Sequence, residues 1–422
     1  MIVFLTRQIN HIKKRGFKEI PIKFLILIKI IISKIGLIIS FPILIIVIML
    51  KPLILIRFGI LNAQRIGHFT SNTDLYFFKK KNEQLNKNKI ICYIVSYNTP
   101  ICNKFLFDKI KKIIKLHHFI YVRPIYDLIL LLSFKLNFFK DFLIPSFAPS
   151  IFKDADHDTD DILVKEKPLI EFSNEELKVG YELLKKMGIN NNKFICLIIR
   201  DKKYLEKRFN RNDWSYHDHR NIDIDDCNEM INELTELGYY VIRMGRDVEK
   251  QISIKNKSVI DYANSEFVSD FADFFLFSRC EFCISSGTGP DMIARIFRKK
   301  VGRVMVPIGS FHTSSLDINA VIPHYSTKLK RYLDLKEIHD LGLLTALKNS
   351  IFEDKGVKLI KNKELFKNFG KFCVKLHENK PLDSDFKIKQ NLFWKEFIRY
   401  KKNSNWKINS KVFYNQIGDL IK

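Results

Sequence analysis

The chain has 422 residues, 46% of them hydrophobic and 28% charged, with a formal net charge of +25. That length admits two or three domains with sizeable apolar cores, and seven cysteines scattered along it exclude a disulfide framework. The positive charge points to nucleic acid, an anionic membrane surface or phosphorylated ligands. It is dispersed, with no long Lys/Arg block and no zinc-finger or RNA-recognition signature, which favours lipid headgroups and phosphates over nucleic acid. Part of it reflects a composition rich in Lys, Ile, Asn and Phe.

The first element is apolar. Phe24 to Leu50 is almost wholly apolar, interrupted by Lys29 and Lys34, and Gly36 to Leu50 carries no charge. As a helix the uncharged part measures about 22 Å, short of a hydrocarbon core of about 30 Å, and Pro42 is expected to kink it. Lys13, Lys14, Arg15, Lys18 and Lys23 precede it, too long a basic region for a secretory signal. The segment reads as membrane-associated over 1–52, the other reading being a buried core helix.

Leu53 to Phe58 and Lys89 to Tyr97 read as strands, with a polar loop carrying Arg65-Ile66-Gly67-His68-Phe69 between them. Lys104 to Lys115 has helical spacing, and Tyr126 to Phe142 is apolar and aromatic. Asp154 to Asp161 alternates aspartates, but Thr159 and Lys165 stand where a calcium loop needs Gly and Glu, so a solvated linker is predicted.

The second half is more regular. Ser173 and Glu176 form a capping box that opens a helix. Phe194–Ile199, Tyr239–Ile242, Phe282–Ile284 and Val301–Val306 are short apolar strands separated by helices over Asp223–Leu237, Asp270–Arg279 and Asp291–Phe297. This alternation predicts a parallel sheet covered on both faces. Cys280 and Cys283 lie in one of these strand regions with no second ligand pair, which predicts buried side chains rather than zinc.

Ligands of such sheets sit beyond the carboxyl ends of the strands. Arg200 and Asp201 follow one strand, and Arg243 and Gly245 the next. Ser286-Gly287-Thr288-Gly289 joins a strand to a helix, as a diphosphate cradle requires, although it matches neither the dinucleotide nor the P-loop pattern. The arginines offer forked donors for phosphate oxygens. Tyr216-His217-Asp218-His219-Arg220-Asn221 offers hydroxyl-reading groups and candidate bases, and His68 offers another. A zinc site through His217 and His219 lacks a third ligand, so no metal is predicted.

Taken in order, Arg65–Phe69, Arg200-Asp201, Tyr216–Asn221, Arg243-Met244-Gly245, Asp261-Tyr262-Ala263, Ser269-Asp270 and Ser286–Gly289 resemble a family of bacterial GT-B-type glycosyltransferases of surface-polysaccharide biosynthesis loci. The resemblance covers roughly residues 53–335. It implies two Rossmann-like domains, an acceptor domain over 53–165 and a nucleotide-sugar domain over 166–350, followed by a basic helical extension over 351–422. The resulting expectation is an α/β enzyme that moves a sugar from a nucleotide-sugar donor, as substrate and without cofactor, to a glycan or glycolipid at the cytoplasmic face of the inner membrane. Donor contacts are expected from Arg200, Asp201, Tyr216, Arg220, Asn221, Arg243, Gly245, Asp261 and Ser286 to Gly289, and catalysis from His68, His217 or Asp218. Because a nucleotide-using body must stay cytoplasmic, the apolar segment is expected to enter one leaflet rather than carry the body across. The rivals are a sugar-nucleotide epimerase of the same fold and a non-enzymatic basic protein of the membrane surface.

Overall fold

A computed structural model describes residues 20–84, 90–96, 100–117, 119–152, 158, 161–189, 193–208, 214–308, 314–346, 348–400 and 411–413. The basic run from 13 to 18, most of the acidic stretch and most of the basic tail beyond 400 lie outside the described residues. The chain divides into two units. The first comprises Met1–Asn62, Lys79–Thr99 and Ile114–Lys153, and the second Ala63–Phe78, Pro100–Ile113 and Asp154–Lys422. This partition interleaves the chain, whereas the sequence suggested consecutive segments cut near 52, 165 and 350.

In the first unit, α1 (Ile20–Leu50) is followed by β1 (Leu55–Leu61), which pairs in parallel with β2 (Ile90–Ser96) from Leu55↔Ile90 to Leu61↔Ser96. The crossover helix α2 (Ile66–Gln84) begins in the second unit and ends in the first, and α3 (Lys104–Ile113) belongs to the second. The first unit continues with α4 (Phe119–Ser133). Leu44 and Val47 of α1 are buried with Phe58 and Ile60 of β1, Val122, Ile125 and Ile129 of α4, and Phe142 and Leu143 beyond it. Gly36 lets α1 approach α4 closely, since a Cβ there would stand 3.1 Å from Pro124 Cγ. One stripe of the apolar segment is thus core. Among the described residues no helix is long and apolar enough to cross a membrane.

The second unit carries the regular α/β pattern. Its α5 (Asn174–Lys186) starts at Ser173, whose hydroxyl accepts the Glu176 N–H while the Glu176 carboxylate accepts the Ser173 N–H. There follow β3 (Phe194–Ile198), α6 (Asn228–Glu236), β4 (Tyr240–Arg243), β5 (Val259–Ile260), α7 (Asp270–Arg279), β6 (Phe282–Ser285), α8 (Asp291–Ile296), β7 (Lys300–Val306) and β8 (Asp317–Val321). A small antiparallel sheet of β9 (His324–Ser326), β10 (Arg331–Tyr332) and β11 (Val357–Leu359) then precedes α9 (Lys363–His377), α10 (Ser384–Tyr400) and β12 (Lys411–Phe413). The main sheet has seven parallel strands in the order β12-β8-β7-β6-β3-β4-β5.

The order explains where a ligand can sit. From β3 the chain winds outward through β4 to β5, then returns to the other edge of β3 with β6 and winds away through β7 and β8. Connections leaving β3 and β6 diverge, which opens a crevice at their carboxyl ends. Both strands are fully buried, as expected of strands covered on both faces.

The C-terminal region is integral to this unit, where the sequence suggested an extension. Leu365, Phe366 and Phe369 of α9 join the core of Ile195, Met230 and Ile284, and a Cβ on Gly370 would stand 2.7 Å from Met230 Cγ. Phe393 and Phe397 of α10 pack with Val306, Val321 and Val412, and β12 extends the sheet beside β8. The acidic stretch also differs from a solvated linker. Asp158 is buried and accepts the N–H groups of Ile162 (2.8 Å) and Leu163 (3.1 Å), while buried Asp161 accepts from Ser314 Oγ (2.6 Å) and the Ser315 N–H (3.0 Å). These two carboxylates satisfy turn and helix donors that burial removes from water. Cys280 and Cys283 are both buried.

Candidate functional site

A cavity of about 560 Å³ lies within the second unit at the carboxyl ends of β3, β4 and β6. Its lining includes Arg200 and Asp201 beyond β3, Gly245 and Arg246 beyond β4, Gly287 to Gly289 beyond β6, and Arg65, Gly67 and His68 around the start of α2. Trp214 and Arg220 line it from the segment between β3 and α6. The Arg65–His68 motif, expected from a separate acceptor domain, therefore belongs to the same unit as the strand-end residues and shares their cavity.

Local chemistry holds this geometry. The Ser285 hydroxyl accepts the N–H groups of Gly287 (3.0 Å) and Thr288 (3.2 Å), and the Ser286 hydroxyl accepts the Arg200 N–H (2.8 Å). Ser286 is buried, so its role is to tie the β6 loop to the end of β3 rather than to face the cavity. Gly287 has φ +73°, a conformation costly for any residue with a Cβ. Gly289 meets Gly67 closely: a Cβ on Gly67 would come within 2.9 Å of Gly289 Cα. The two backbones touch because neither residue has a side chain. On β7 the register shifts between Arg303 and Val306, with Met305 at φ +55°, and Val306 is among the cavity residues.

The basic groups fall into two sets. Arg200 Nε donates to Asn221 Oδ1 (3.0 Å), and Asn221 Nδ2 donates to Asp218 Oδ1 (2.9 Å). The Arg65 guanidinium lies over the Trp214 ring at 5.3 Å, a cation–π contact. With Arg220, these arginines bring three guanidinium groups to the cavity. Arg246 is anchored more firmly, with Nη2 at 2.7 Å from Asp270 Oδ1 and 2.6 Å from Asp273 Oδ2. Asp273 also accepts from the Tyr262 hydroxyl (2.7 Å), and burial pushes its carboxyl up to about 6 against the pull of Arg246.

Arg243 and Asp261, both expected to contact the donor, do not line the cavity. Arg243 is only 2% exposed and absent from the lining. Its Nη1 donates to Asp261 Oδ1 (3.0 Å) and to the Lys250 carbonyl (3.3 Å), and Asp261 also accepts from Ile252 N–H (3.0 Å) and Asn264 Nδ2 (2.8 Å). The pair therefore staples the connection between β4 and the turn beyond β5, and three residues further on Arg246 is the arginine that reaches the cavity. The signal was present in Arg243-Met244-Gly245-Arg246, where the second arginine follows the glycine.

The 216–221 cluster separates similarly. Tyr216 and His217 lie in a 3-10 turn, but their side chains are outside the described part of the structure. Asp218 is exposed and acts through Asn221, and neither belongs to the lining, whereas Arg220 does. His219 is buried 5.8 Å from the ring of Phe352, which His324 approaches at 5.7 Å, and burial holds both histidines down to about 4. Asp201 accepts the N–H groups of Lys203 (3.0 Å) and Glu249 (2.9 Å), bridging the ends of β3 and β4. Trp214, Arg246 and Asp273 are lining residues that sequence reasoning missed. Among the described residues, no group of three or more His, Cys, Asp or Glu is placed to hold a metal ion.

No protein-family model matches the chain, and no curated protein matches it. Among solved structures it is similar to the glycosyl transferase family 9 protein from Veillonella parvula DSM 2008, at 12% identity and a TM-score of 0.40. That likeness covers 78% of this chain and 97% of the other.

Proposed function

We propose that the chain is a glycosyltransferase whose second unit binds a nucleotide-sugar donor and whose acceptor is a glycan or glycolipid of cell-surface polysaccharide synthesis. The carrying observation is the cavity at the crevice between β3 and β6, where Arg65, Arg200 and Arg220 meet a glycine-bearing loop. A diphosphate needs close backbone approach and cationic donors, and both occur there.

In this reading the sugar–phosphate bond breaks as an acceptor hydroxyl attacks the anomeric carbon. The departing nucleoside diphosphate gathers negative charge, and fixed guanidinium groups stabilise it most in the transition state. The arginines thus act on the leaving group, while His68, in the same lining, is the proposed base for the acceptor proton. Asn221 positions Arg200, and Asp273 with Asp270 positions Arg246. Nucleotide sugars are made in the cytoplasm, so the enzyme would work at the cytoplasmic face of the membrane.

The test is a calorimetric and thermal-shift screen of the full chain against nucleoside diphosphates and nucleotide sugars. A ligand at about 100 times its Kd should add about 2.7 kcal/mol of stability. Arg200→Gln should weaken that ligand about 10- to 100-fold, the worth of a charged hydrogen bond, whereas Arg243→Gln should lower thermal stability and leave the Kd of the folded fraction close to wild type. A folded wild-type protein that binds no nucleotide in the panel refutes the proposal.

A further inference from the structure

The core stripe of α1 leaves the rest of that helix uncovered. Ile38 and Met49 are 74% and 73% exposed, and Ile39, Phe41, Ile45 and Ile46 are exposed beside them. A second exposed apolar set follows α4 in Phe134-Lys135-Leu136-Asn137-Phe138, in which all five residues are exposed. The two sets meet: Lys51, just past α1, has its Nζ 4.2 Å from the Phe138 ring centroid and 2.7 Å from Asp141. Patches of this extent are rare on a free surface and mark a partner.

The chemistry of the patch selects the partner. Its apolar residues border Lys135 and Lys140, whereas the Lys51 ammonium is already paired with Asp141. Aliphatic and aromatic groups interleaved with lysines fit the headgroup–acyl boundary of an anionic bilayer, where the tails take the apolar groups and the ammonium groups reach phosphate. A protein partner of ordinary composition would leave those lysines to be desolvated. The opposite stripe of α1 is packed on α4 and β1, so only its outer face is free to enter lipid.

We infer that the outer face of α1, together with residues 134–138, lies in the plane of one leaflet of an anionic phospholipid membrane. The inference concerns the first unit alone, whereas nucleotide binding resides in the second, so the failure of either is distinguishable from the failure of the other.

The experiment is flotation of the full chain with vesicles of phosphatidylcholine, with and without phosphatidylglycerol, after detergent removal. Wild type is expected to float, more strongly with phosphatidylglycerol. Ile46→Glu/Met49→Glu/Phe134→Glu should lower vesicle partitioning at least tenfold, with circular dichroism unchanged. Val179→Glu, at an exposed apolar site on α5, should leave it unchanged. Should the glutamates unfold the protein, the corresponding triple serine variant carries the same expectation. Lys135→Glu/Lys140→Glu should remove most of the gain from phosphatidylglycerol. Probes at Ile28→Cys and Ile46→Cys should report equal depth in spin-labelled lipid, whereas a crossing helix would separate them by about 27 Å. Flotation indifferent to the triple variant, unequal probe depths, or a wild type that stays off vesicles and self-associates through this face would each overturn the inference.

Discussion

Replacing Arg303 by methionine should strip the second unit of a fully buried ionic contact. Arg303 is 1% exposed, and its Nε and Nη1 reach Asp291 Oδ2 at 3.1 Å and Asp317 Oδ1 at 2.5 Å. Both carboxylates are fully buried. Methionine restores the apolar part of the side chain and nothing of its charge. Asp317 keeps the Ser314 N–H at 3.1 Å and Arg295 at 3.5 Å, so the main loss falls on Asp291. Stranding one member of a buried pair costs about 3–5 kcal/mol, a large share of a total stability of about 5–15 kcal/mol. Urea denaturation followed by circular dichroism should show that loss as a lowered midpoint. Arg303→Met/Asp291→Asn should recover about 1–3 kcal/mol, because the stranded charge goes with the substitution. A single variant within about 1 kcal/mol of wild type, or a double variant whose losses simply add, would refute the reading that Arg303 neutralises these buried carboxylates.

Further outcomes follow from particular contacts. Burial holds His324 down to about 4, while in the unfolded chain it titrates near its ordinary value of about 6.5. Between those values the unfolded chain takes up a proton that the folded chain refuses, so this contribution is fully present above about pH 6.5 and is lost as pH falls toward 4. The acid limb for His324→Leu, measured by denaturation at several pH values, should be shallower than wild type by about 1.4 kcal/mol per pH unit, and parallel curves would contradict this. Gly67→Ala places a Cβ 2.9 Å from backbone Gly289 Cα. It should cost about 1–3 kcal/mol in thermal denaturation and weaken nucleotide binding in calorimetry, and unchanged binding would detach this contact from the site. Gly180→Ala gains up to about 1 kcal/mol of helix propensity, but its Cβ would lie 2.1 Å from Phe275 Cε2, in a ring cluster with Phe172 and Phe271. The clash should win, and a higher midpoint in the same assay would show that the cluster yields easily.

The regular elements of the second unit were readable because their causes are local. The Ser173–Glu176 capping box, the buried strands at 194–198 and 282–285 and the Ser269 cap, which accepts the Ala272 N–H at 3.1 Å, depend on residues within a few positions of one another. That the strand ends meet at one place was likewise legible, since a parallel sheet presents them together. Arg200, Gly245 and Gly287 to Gly289 line one cavity for that reason.

What tertiary structure decided is which charged side chains face the cavity and which are consumed by the fold. Arg243 and Arg246 are three residues apart and equally plausible from sequence, yet the Arg243 guanidinium is buried against Asp261 away from the lining, whereas Arg246, itself held by Asp270 and Asp273, lines the cavity. The interleaving of 63–78 with the second unit, and the incorporation of α9, α10 and β12 into it, rest on contacts between residues far apart in the chain. The apolar run of α1 illustrates both sides. Sequence alone determined that it would be a hydrophobic helix, because nearly every residue is apolar. Only packing divided that helix into a stripe that contacts protein and a face that does not, because hydrophobicity has no direction until neighbours occupy one side.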